Sequence, residues 1–149
     1  MIWYCDSSAL VKRYVRETGS TWLRHQLGQH ELITSTLVLA EVASALTRRW
    51  REGTISEIEF YRDRTQFLRH VRARSYGLLA APLDLIEQAT LLIYRAPLSA
   101  LDAIHLSTAL RYQKGLGQQA DFYFVTADDQ LERAARGEGL QTENPNAHG

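Results

Sequence analysis

The sequence predicts an α/β protein, a three-layer α/β/α sandwich with a short, mainly parallel central sheet. Three observations indicate this fold. Short segments rich in aliphatic and aromatic residues alternate with helix-like segments along nearly the whole chain. No low-complexity stretch, internal repeat or linker interrupts the alternation, and a length of 149 residues suits one domain. Parallel strands are joined by crossover helices, which then cover both faces of the sheet.

The first half of the chain contains two predicted strands and four predicted helices. The opening "MIWYC" favours a buried strand because aliphatic and aromatic side chains fit a sheet. Gly19 and Gly28 lie near the ends of the second helix, and Ser56 with Glu59 has the spacing of a capping box. The segment "TLVLAEVASALTRRW" is a strong helix that is apolar on most faces. In chain order we predict a strand at 1–5, helices at 7–14 and 20–27, a strand at 32–35, and helices at 36–50 and 56–75.

The second half of the chain repeats the alternation. Asp84 with Glu87 again has the spacing of a capping box, and Pro97 ends the helix that follows. The segment "DFYFVTAD" is the most strand-like of the whole sequence, and Gly137 and Gly139 stop the last helix. In chain order we predict a strand at 78–83, helices at 84–96 and 99–112, a strand at 121–128, a helix at 129–139 and a strand at 140–142.

Composition narrows the possible functions. The 17 basic and 17 acidic residues balance, so any binding to nucleic acid must use a local patch. A single cysteine, Cys5, excludes an intramolecular disulfide and a multi-cysteine metal site. The sequence has no apolar run of membrane-spanning length, and its start lacks the basic and apolar regions of a secretory signal. We therefore expect a cytoplasmic protein without a membrane partner.

Three aspartates lie where a parallel sheet could build a site. Asp6 follows the first strand, Asp128 follows the strand-like segment of the second half, and Asp102 lies near the start of a helix. Each has a structural alternative, because aspartate is a favoured N-cap and Asp102 comes three residues after Ser99, as in a capping box. Taken one at a time, these residues do not separate a site from a set of helix caps.

Glu41 is not explained by capping. It lies in the middle of the predicted helix "TLVLAEVASAL", surrounded by apolar neighbours one turn away in both directions. A carboxylate on such a surface is costly unless it is paired or bound to a cation. The structural alternative is an ion pair with an arginine from another helix.

Together the four acids predict a metal site. The carboxyl ends of parallel strands meet at one rim of the sheet, so we expect these side chains to converge there. Two like charges about 4 Å apart repel by about 4 kcal/mol at an effective dielectric of about 20. A divalent cation would remove this repulsion, and ligands that are all oxygen suit Mg²⁺ or Mn²⁺ rather than Zn²⁺.

Four segments, in this order, carry a resemblance to a known family. They are "DSSALVKRYV", "LVLAEVASAL", "LSALDAIHLSTAL" and "FVTADDQLERAARGEGL". The chain resembles the PIN-domain nucleases and, within them, the VapC-type toxins of bacterial toxin–antitoxin pairs. The resemblance implies that Asp6, Glu41, Asp102 and Asp128 are the catalytic and metal-binding acids, and that Asp129 caps the last helix. A shift of register in "TADD" would make Asp129 the fourth acid instead.

The resemblance also implies a fold, an activity and partners. It implies one PIN-like nuclease domain over residues 1–142, followed by a polar tail over 143–149 that we expect to be frayed. The implied activity is Mg²⁺- or Mn²⁺-dependent endoribonuclease cleavage of RNA phosphodiester bonds, as the toxin of a toxin–antitoxin pair. The implied partners are the RNA substrate, a cognate antitoxin and a second copy of the chain. The alternative is a catalytically silent PIN-like module that binds only RNA or protein.

Several residues are expected to support the acids. His105 lies one helical turn after Asp102 and could contact it or a substrate phosphate, or simply pack. Ser8 and Thr126 could hydrogen-bond a carboxylate or a metal-bound water, or act as helix caps. We expect Ser7 or Ser8 to cap the first helix, which leaves Asp6 free to bind the metal.

The basic segment "TRRWR" is a candidate RNA-binding patch. It offers Arg48, Arg49 and Arg51 on one helix. The alternatives are a solvated helix face or a protein interface, because arginine and aromatic residues are common at the energetic centres of interfaces.

Overall fold

The central sheet of the protein is parallel throughout. The computed structural model describes residues 1–117 and 120–149, and in these residues five strands form one sheet in which all neighbouring pairs are parallel. The predicted α/β sandwich is therefore confirmed. The strands are β1 (Ile2–Cys5), β2 (Glu31–Ser35), β3 (Gly77–Leu79), β4 (Phe122–Val125) and β5 (Gln141–Glu143).

Helices connect these strands as crossovers. The predicted helix at 7–14 is an α-helical turn followed by a 3₁₀ turn, Val11–Arg13, and a second 3₁₀ turn, Pro145–His148, ends the chain. The α-helices are α1 (Ser7–Leu10), α2 (Ser20–Leu27), α3 (Val38–Arg51), α4 (Glu57–Arg72), α5 (Leu83–Arg95), α6 (Ala100–Leu116) and α7 (Asp129–Gly137).

The sheet divides the apolar core into two halves. Successive side chains of a strand point to opposite faces, so Trp3 and Cys5 pack on one side with buried residues of α1 to α4. Tyr4 and Phe124 pack on the other side with buried residues of α5 to α7. Helices on both faces explain why Tyr4, Phe122 and Phe124 are almost completely buried.

The strand order places a natural binding crevice beside β1. The order across the sheet is β3-β2-β1-β4-β5, so the chain moves outward in one direction from β1 and then in the other. Ligands of open parallel sheets bind at the carboxyl ends of the strands where this reversal occurs. Here that point lies between the ends of β1 and β4, directly before Asp6 and Thr126.

The C-terminal segment is packed, so the prediction of a frayed tail is wrong. β5 extends to Glu143, and the 3₁₀ turn that follows places the ring of His148 on Trp22 with 3.9 Å between ring centroids. Asn144 is buried, and its amide donates to Asp129 and Glu132 of α7. Polar side chains thus hold the segment against the domain. The sequence shows that these residues are polar but not that they make these contacts.

The helix starts also differ from the predictions. α5 begins at Leu83 with Pro82 as its cap, so the predicted capping box of Asp84 and Glu87 is not formed. The capping box of Ser56 and Glu59 is formed, with both reciprocal hydrogen bonds present. Across the described ranges, no helix combines the length and the apolar character needed to span a bilayer.

Candidate active site

Asp6 ends β1 and caps α1. Its Oδ1 accepts the N–H of Ala9 at 2.9 Å, which is the hydrogen bond of an N-cap. Thr126 Oγ1 donates to Oδ2 at 2.7 Å, and Ser8 Oγ lies 2.8 and 2.9 Å from the two carboxylate oxygens. The prediction that Ser7 or Ser8 caps this helix is therefore wrong, and Ser8 and Thr126 instead orient the carboxylate.

Asp6 is a buried acid whose charge is only partly compensated. The residue is 1% exposed. Burial raises the pKa of Asp6 from its ordinary 3.8 to about 6, against the opposing effects of His105 and of the hydrogen bonds from Ala9, Thr126 and Ser8. A carboxylate that resists ionisation in the protein is one that a bound cation would favour strongly in its charged form.

Glu41 is held by two side chains from other elements. Ser7 Oγ donates to Oε2 at 2.8 Å, and Nε2 of His105 lies 2.6 Å from Oε1. α3 begins at Val38, so Glu41 lies in its first turn and not in the middle of the helix as predicted. The partner that the sequence left open is a histidine and not an arginine.

His105 bonds to Glu41, and in the described residues no hydrogen bond joins it to Asp102. It is completely buried in α6, and its Nδ1 lies 2.8 Å from the hydroxyl of Tyr4 in β1. Burial raises the pKa of Glu41, but the hydrogen bond and charge of His105 and the hydrogen bond from Ser7 outweigh it, so the pKa lies below its ordinary value. Glu41 is therefore kept as a carboxylate by its neighbours.

Asp102 and Asp128 lie at the starts of α6 and α7. Ser99 caps α6 by accepting the N–H of Asp102 at 3.2 Å, which leaves the carboxylate of Asp102 out of the cap. Oδ1 of Asp128 caps α7 by accepting the N–H of Leu131 at 2.9 Å, and the Asp128 N–H donates to Thr126 Oγ1 at 3.1 Å. Thr126 therefore links Asp6 to Asp128.

The assignment of Asp129 as the cap of the last helix is wrong. Asp129 lies in the first turn of α7, is exposed, and accepts a hydrogen bond from Asn144 at 3.1 Å. Asp128, which the resemblance makes the fourth acid, serves as the cap as well. Asp6 and Asp128 thus share one arrangement, in which a strand-to-helix turn both caps the helix and presents a carboxylate at the rim.

Asp102 is close enough to Asp128 and Glu41 to be affected by their charges. Burial raises the pKa of Asp102, and the negative charges of Asp128 and Glu41 raise it further against the opposing effects of Ser99 and His105. Carboxylate oxygens are the donors that Mg²⁺ and Mn²⁺ prefer, and in the described residues no lysine or arginine is paired with any of these four acids. The residues therefore fit a divalent cation by their chemistry. In residues 1–117 and 120–149 as placed, no three His, Cys, Asp or Glu side chains form a complete ligand cluster.

A cleft of about 630 Å³ opens beside Glu41. Ser7, Ser8 and Glu41 line it at the rim of the sheet, and Arg48 and Arg49 of α3 line it further out. Of the three arginines predicted to bind RNA, Arg48 is exposed at the cleft, Arg49 is paired with Glu17 at 2.7 Å, and Arg51 is exposed beyond it. The cleft is therefore acidic at the rim of the sheet, near Glu41, and basic further out, near Arg48 and Arg49.

Two contributors to the site were not predicted, Tyr4 and the bond from Ser7 to Glu41. A signal for the first does exist in the sequence. Alternation in β1 places Tyr4 on the same side of the sheet as α6, where His105 is the one histidine in the segment "LDAIHLSTAL". The Ser7 bond depends on how α1 packs against α3, which local sequence does not specify.

Comparison with known proteins places the chain in a family. A family model of the PIN domain matches residues 3–137. The chain is 32% identical over 149 residues to Ribonuclease VapC47 of Mycobacterium tuberculosis (strain CDC 1551 / Oshkosh), covering 97% of each sequence. A match of this identity over nearly the full length of both proteins indicates common descent and a common fold.

Two solved structures show the same fold at low sequence identity. A toxin–antitoxin complex from Klebsiella pneumoniae matches with a TM-score of 0.62 and 13% identity, over 95% of this chain and 96% of the other. VapC20 of Mycobacterium tuberculosis, a toxin that cleaves the sarcin–ricin loop, matches with a TM-score of 0.63 and 19% identity, over 89% and 94%. From the matched model, the sequence relative and the shared fold, we conclude that the chain belongs to the PIN domain family and is of the VapC type.

Proposed function

We propose that this protein is a divalent-metal-dependent endoribonuclease that hydrolyses RNA phosphodiester bonds, and that it acts as the toxin of a toxin–antitoxin pair. The observation that carries the proposal is that Asp6 and Asp128, at the ends of β1 and β4, are linked through Thr126 at the switch point of the sheet. Nearby, burial and the charges of Asp128 and Glu41 raise the pKa of Asp102. The sequence relative named as a ribonuclease supports the reaction. The solved toxin–antitoxin complex supports the biological role.

Asp6, Asp102, Asp128 and Glu41 would hold the cation. When bound, Mg²⁺ or Mn²⁺ would lower the pKa of a coordinated water and offset negative charge on the scissile phosphate. Ser8 and Thr126 hold the carboxylate of Asp6 in one orientation, and Ser7 and His105 do the same for Glu41. Two of the four acids are thus oriented before the substrate arrives, which limits the rearrangement that the reaction needs.

Asp128 is better placed than Glu41 to orient the attacking water. Both oxygens of Glu41 already accept hydrogen bonds, from Ser7 and His105. Only Oδ1 of Asp128 is used in the helix cap, and in the described residues its Oδ2 accepts no hydrogen bond. A carboxylate oxygen with a free lone pair can accept a proton from water, as a general base must.

The acids and the metal can be tested together. RNA cleavage is measured for the wild type with Mg²⁺, with Mn²⁺ and with chelator, and for Asp6→Asn and Asp102→Asn with each metal. We expect cleavage with either metal, none with chelator, and a loss in both variants. Asp121→Asn is the matched control, because Asp121 is exposed just before β4, at the opposite end of the sheet. Cleavage that survives chelator, or both substitutions at the rim, would contradict the mechanism.

A silent binding module is the second candidate function. It would bind RNA or a partner but not Mn²⁺, and calorimetric titration of the wild type with Mn²⁺ separates the two candidates. The toxin role has its own test, because inducing this chain alone should stop growth, and co-expressing the cognate antitoxin should restore it. Unimpaired growth with an active nuclease would remove the toxin role and leave the nuclease.

We also propose that the protein works in the cytoplasm, where RNA and an antitoxin are available, and that it forms a homodimer. Support for the dimer comes from α5, on which Leu91 is 54% exposed and Tyr94 is 80% exposed. Large apolar side chains gathered on one surface are typical of protein interfaces. Light scattering should give twice the mass of one chain, and Tyr94→Lys should reduce it to one. A monomeric wild type would contradict the dimer.

A further inference from the structure

A second, larger groove lies next to the cleft of the acidic site. It has a volume of about 1190 Å³ and runs between the segment around Arg13, α2, α3 and α4. The two grooves share Glu17, Arg48 and Arg49, so one continues into the other. We call the larger one the arginine groove. It is lined by six arginines, Arg13, Arg16, Arg24, Arg48, Arg49 and Arg62.

Four of these arginines carry charge that no carboxylate neutralises. Among the described residues, Arg13, Arg16, Arg24 and Arg48 form no ion pair. The groove also contains four acids, of which Glu17 is bound by Lys12 and Arg49 and Asp63 by Arg62. Glu52 and Glu59 line it as well, so its six arginines exceed its carboxylates by two. In a chain with no net charge, the groove is therefore a local concentration of positive charge.

Two of the free guanidinium groups are also fixed in place. Arg24 donates to the carbonyl oxygens of Arg13 and Val15, at 2.9 and 3.3 Å. Arg13 donates to the hydroxyl of Tyr76 at 2.7 Å and lies 5.5 Å from the centre of that ring. These neutral partners hold the side chains without cancelling their charge, so little conformational entropy is lost when an anion binds.

We propose that the arginine groove binds the phosphate backbone of the RNA strand beside the bond that is cut. The inference rests on the proposed ribonuclease function and extends it to a second site. An RNA whose scissile phosphate lies at the acids would pass Arg48 and enter the groove. Guanidinium groups bind phosphate in a two-pronged geometry, and a positively charged groove is how proteins follow a single strand.

The lining favours a polyanion over an apolar protein segment. Most of the side chains that face the groove are charged or polar, and the few apolar ones, such as Tyr14 and Leu27, are themselves buried in the core. The groove therefore offers charge and hydrogen-bond donors but little apolar surface to a partner. An acidic protein segment is the competing occupant, and the test below separates it from RNA.

Binding of single-stranded RNA tests the proposal without requiring cleavage. Fluorescence anisotropy is measured over a series of salt concentrations in an Asp102→Asn background, with Arg16→Gln and Arg48→Gln added singly and together. Both side chains are exposed and make no hydrogen bond in the described residues, so the fold should be retained. Each substitution should weaken binding about tenfold at low salt and reduce the slope of log K against log salt by about 0.7.

Arg133→Gln is the matched control. Arg133 is exposed on α7 and lines neither groove. The substitution makes the same change of charge, so the affinity of this variant for RNA and its salt slope should equal those of the parent protein. In the active enzyme, Arg16→Gln should raise KM for a long RNA and leave kcat unchanged, because Arg16 lines only the arginine groove. A short RNA that reaches only the acids should be cleaved by this variant as by the wild type.

The outcomes separate this inference from the ribonuclease proposal. If the wild type cleaves RNA but the groove variants keep its affinity and salt slope, the groove inference is overturned and the nuclease stands. If the variants lose affinity for an acidic antitoxin while RNA binding is unchanged, the groove belongs to the protein partner. If no RNA is cleaved but the variants lose RNA affinity as described, the ribonuclease proposal fails and the groove remains an RNA site.

Discussion

His105 and Glu41 are joined by a hydrogen bond of 2.6 Å between Nε2 and Oε1, although they lie 64 residues apart in the chain. A carboxylate only accepts hydrogen bonds, so Nε2 carries the proton. Nδ1 pairs with the hydroxyl of Tyr4, 2.8 Å away. Both nitrogens of a fully buried imidazole are thereby used, and β1, α3 and α6 are fixed relative to one another at the acidic site.

Replacing His105 should reveal how much this link contributes. His105→Leu leaves Oε1 of Glu41 and the buried hydroxyl of Tyr4 without partners, so we expect the free energy of unfolding to fall by about 3 kcal/mol. Tyr4→Phe removes a hydroxyl and leaves one ring nitrogen unpaired, which should cost about 1 kcal/mol. Urea denaturation in chelator measures both. If both variants lost the same free energy of unfolding, the hydrogen bond between His105 and Glu41 would contribute nothing to stability.

The pKa of Asp6 predicts an unusual pH dependence of stability in the absence of metal. Because the folded-state pKa of about 6 lies above the ordinary 3.8, the folded protein binds this proton more tightly than the unfolded chain does. The contribution of Asp6 to stability is therefore lost as pH rises from about 4 to about 6, and the full difference corresponds to about 3 kcal/mol. Glu41 acts in the opposite direction, since its pKa is lowered in the fold.

Asp6→Asn isolates this contribution. Asparagine keeps the cap to Ala9, and the hydroxyls of Ser8 and Thr126 can turn to accept from its amide. We expect the variant to be more stable than the wild type near about pH 7, by up to about 3 kcal/mol, and similar to it near about pH 4. Denaturation in chelator at the two pH values gives the comparison. A variant that is less stable at the higher pH would contradict the assigned cause.

The sequence predicts the fold well because the fold depends on patterns that are local. Alternating strand and helix segments require a parallel sheet with helices on both faces, and the structure confirms this. The start of α5 was mispredicted because Pro82 supplies a fixed backbone angle two residues before Asp84, where the capping pattern places the cap. The C-terminal segment was mispredicted because its anchor, the contact of His148 with Trp22 of α2, joins residues that are far apart in the sequence.

The site, like the fold, has features that the sequence predicts and features that it does not. Asp6 and Asp128 could be found because strand ends in a parallel sheet meet at one rim, and Glu41 because a carboxylate on an apolar helix needs a partner. The identity of that partner could not be found from local sequence, since His105 reaches Glu41 only after α3 and α6 are both placed against the sheet. The caps were assigned to the wrong neighbours because one aspartate at a strand-to-helix turn serves as cap and site residue at once.

The packed C-terminal segment can be tested at Gly19. Gly19 has φ of +82°, and a Cβ there would lie 2.3 Å from the carbonyl oxygen of Pro145. Gly53 has a similar φ of +77° but open space around it. Alanine at either position incurs the cost of left-handed backbone, about 1 kcal/mol, but only Gly19→Ala must also displace the segment. We expect Gly19→Ala to be clearly more destabilising in urea denaturation, and equal losses would mean that the segment is not held against Gly19.

The pair Asp128 and Asp129 separates the two possible registers of the fourth acid. Asp128→Asn keeps the cap of α7, because asparagine is as good an N-cap as aspartate, but removes a charge from the rim. Asp129→Asn keeps an oxygen that can accept from Asn144 and removes a charge from an exposed position. Both variants should unfold at nearly the wild-type urea concentration. Cleavage of RNA at saturating metal should fall at least about tenfold in Asp128→Asn and stay near the wild-type rate in Asp129→Asn. The opposite pattern would assign the fourth acid to Asp129 and leave Asp128 as a helix cap alone.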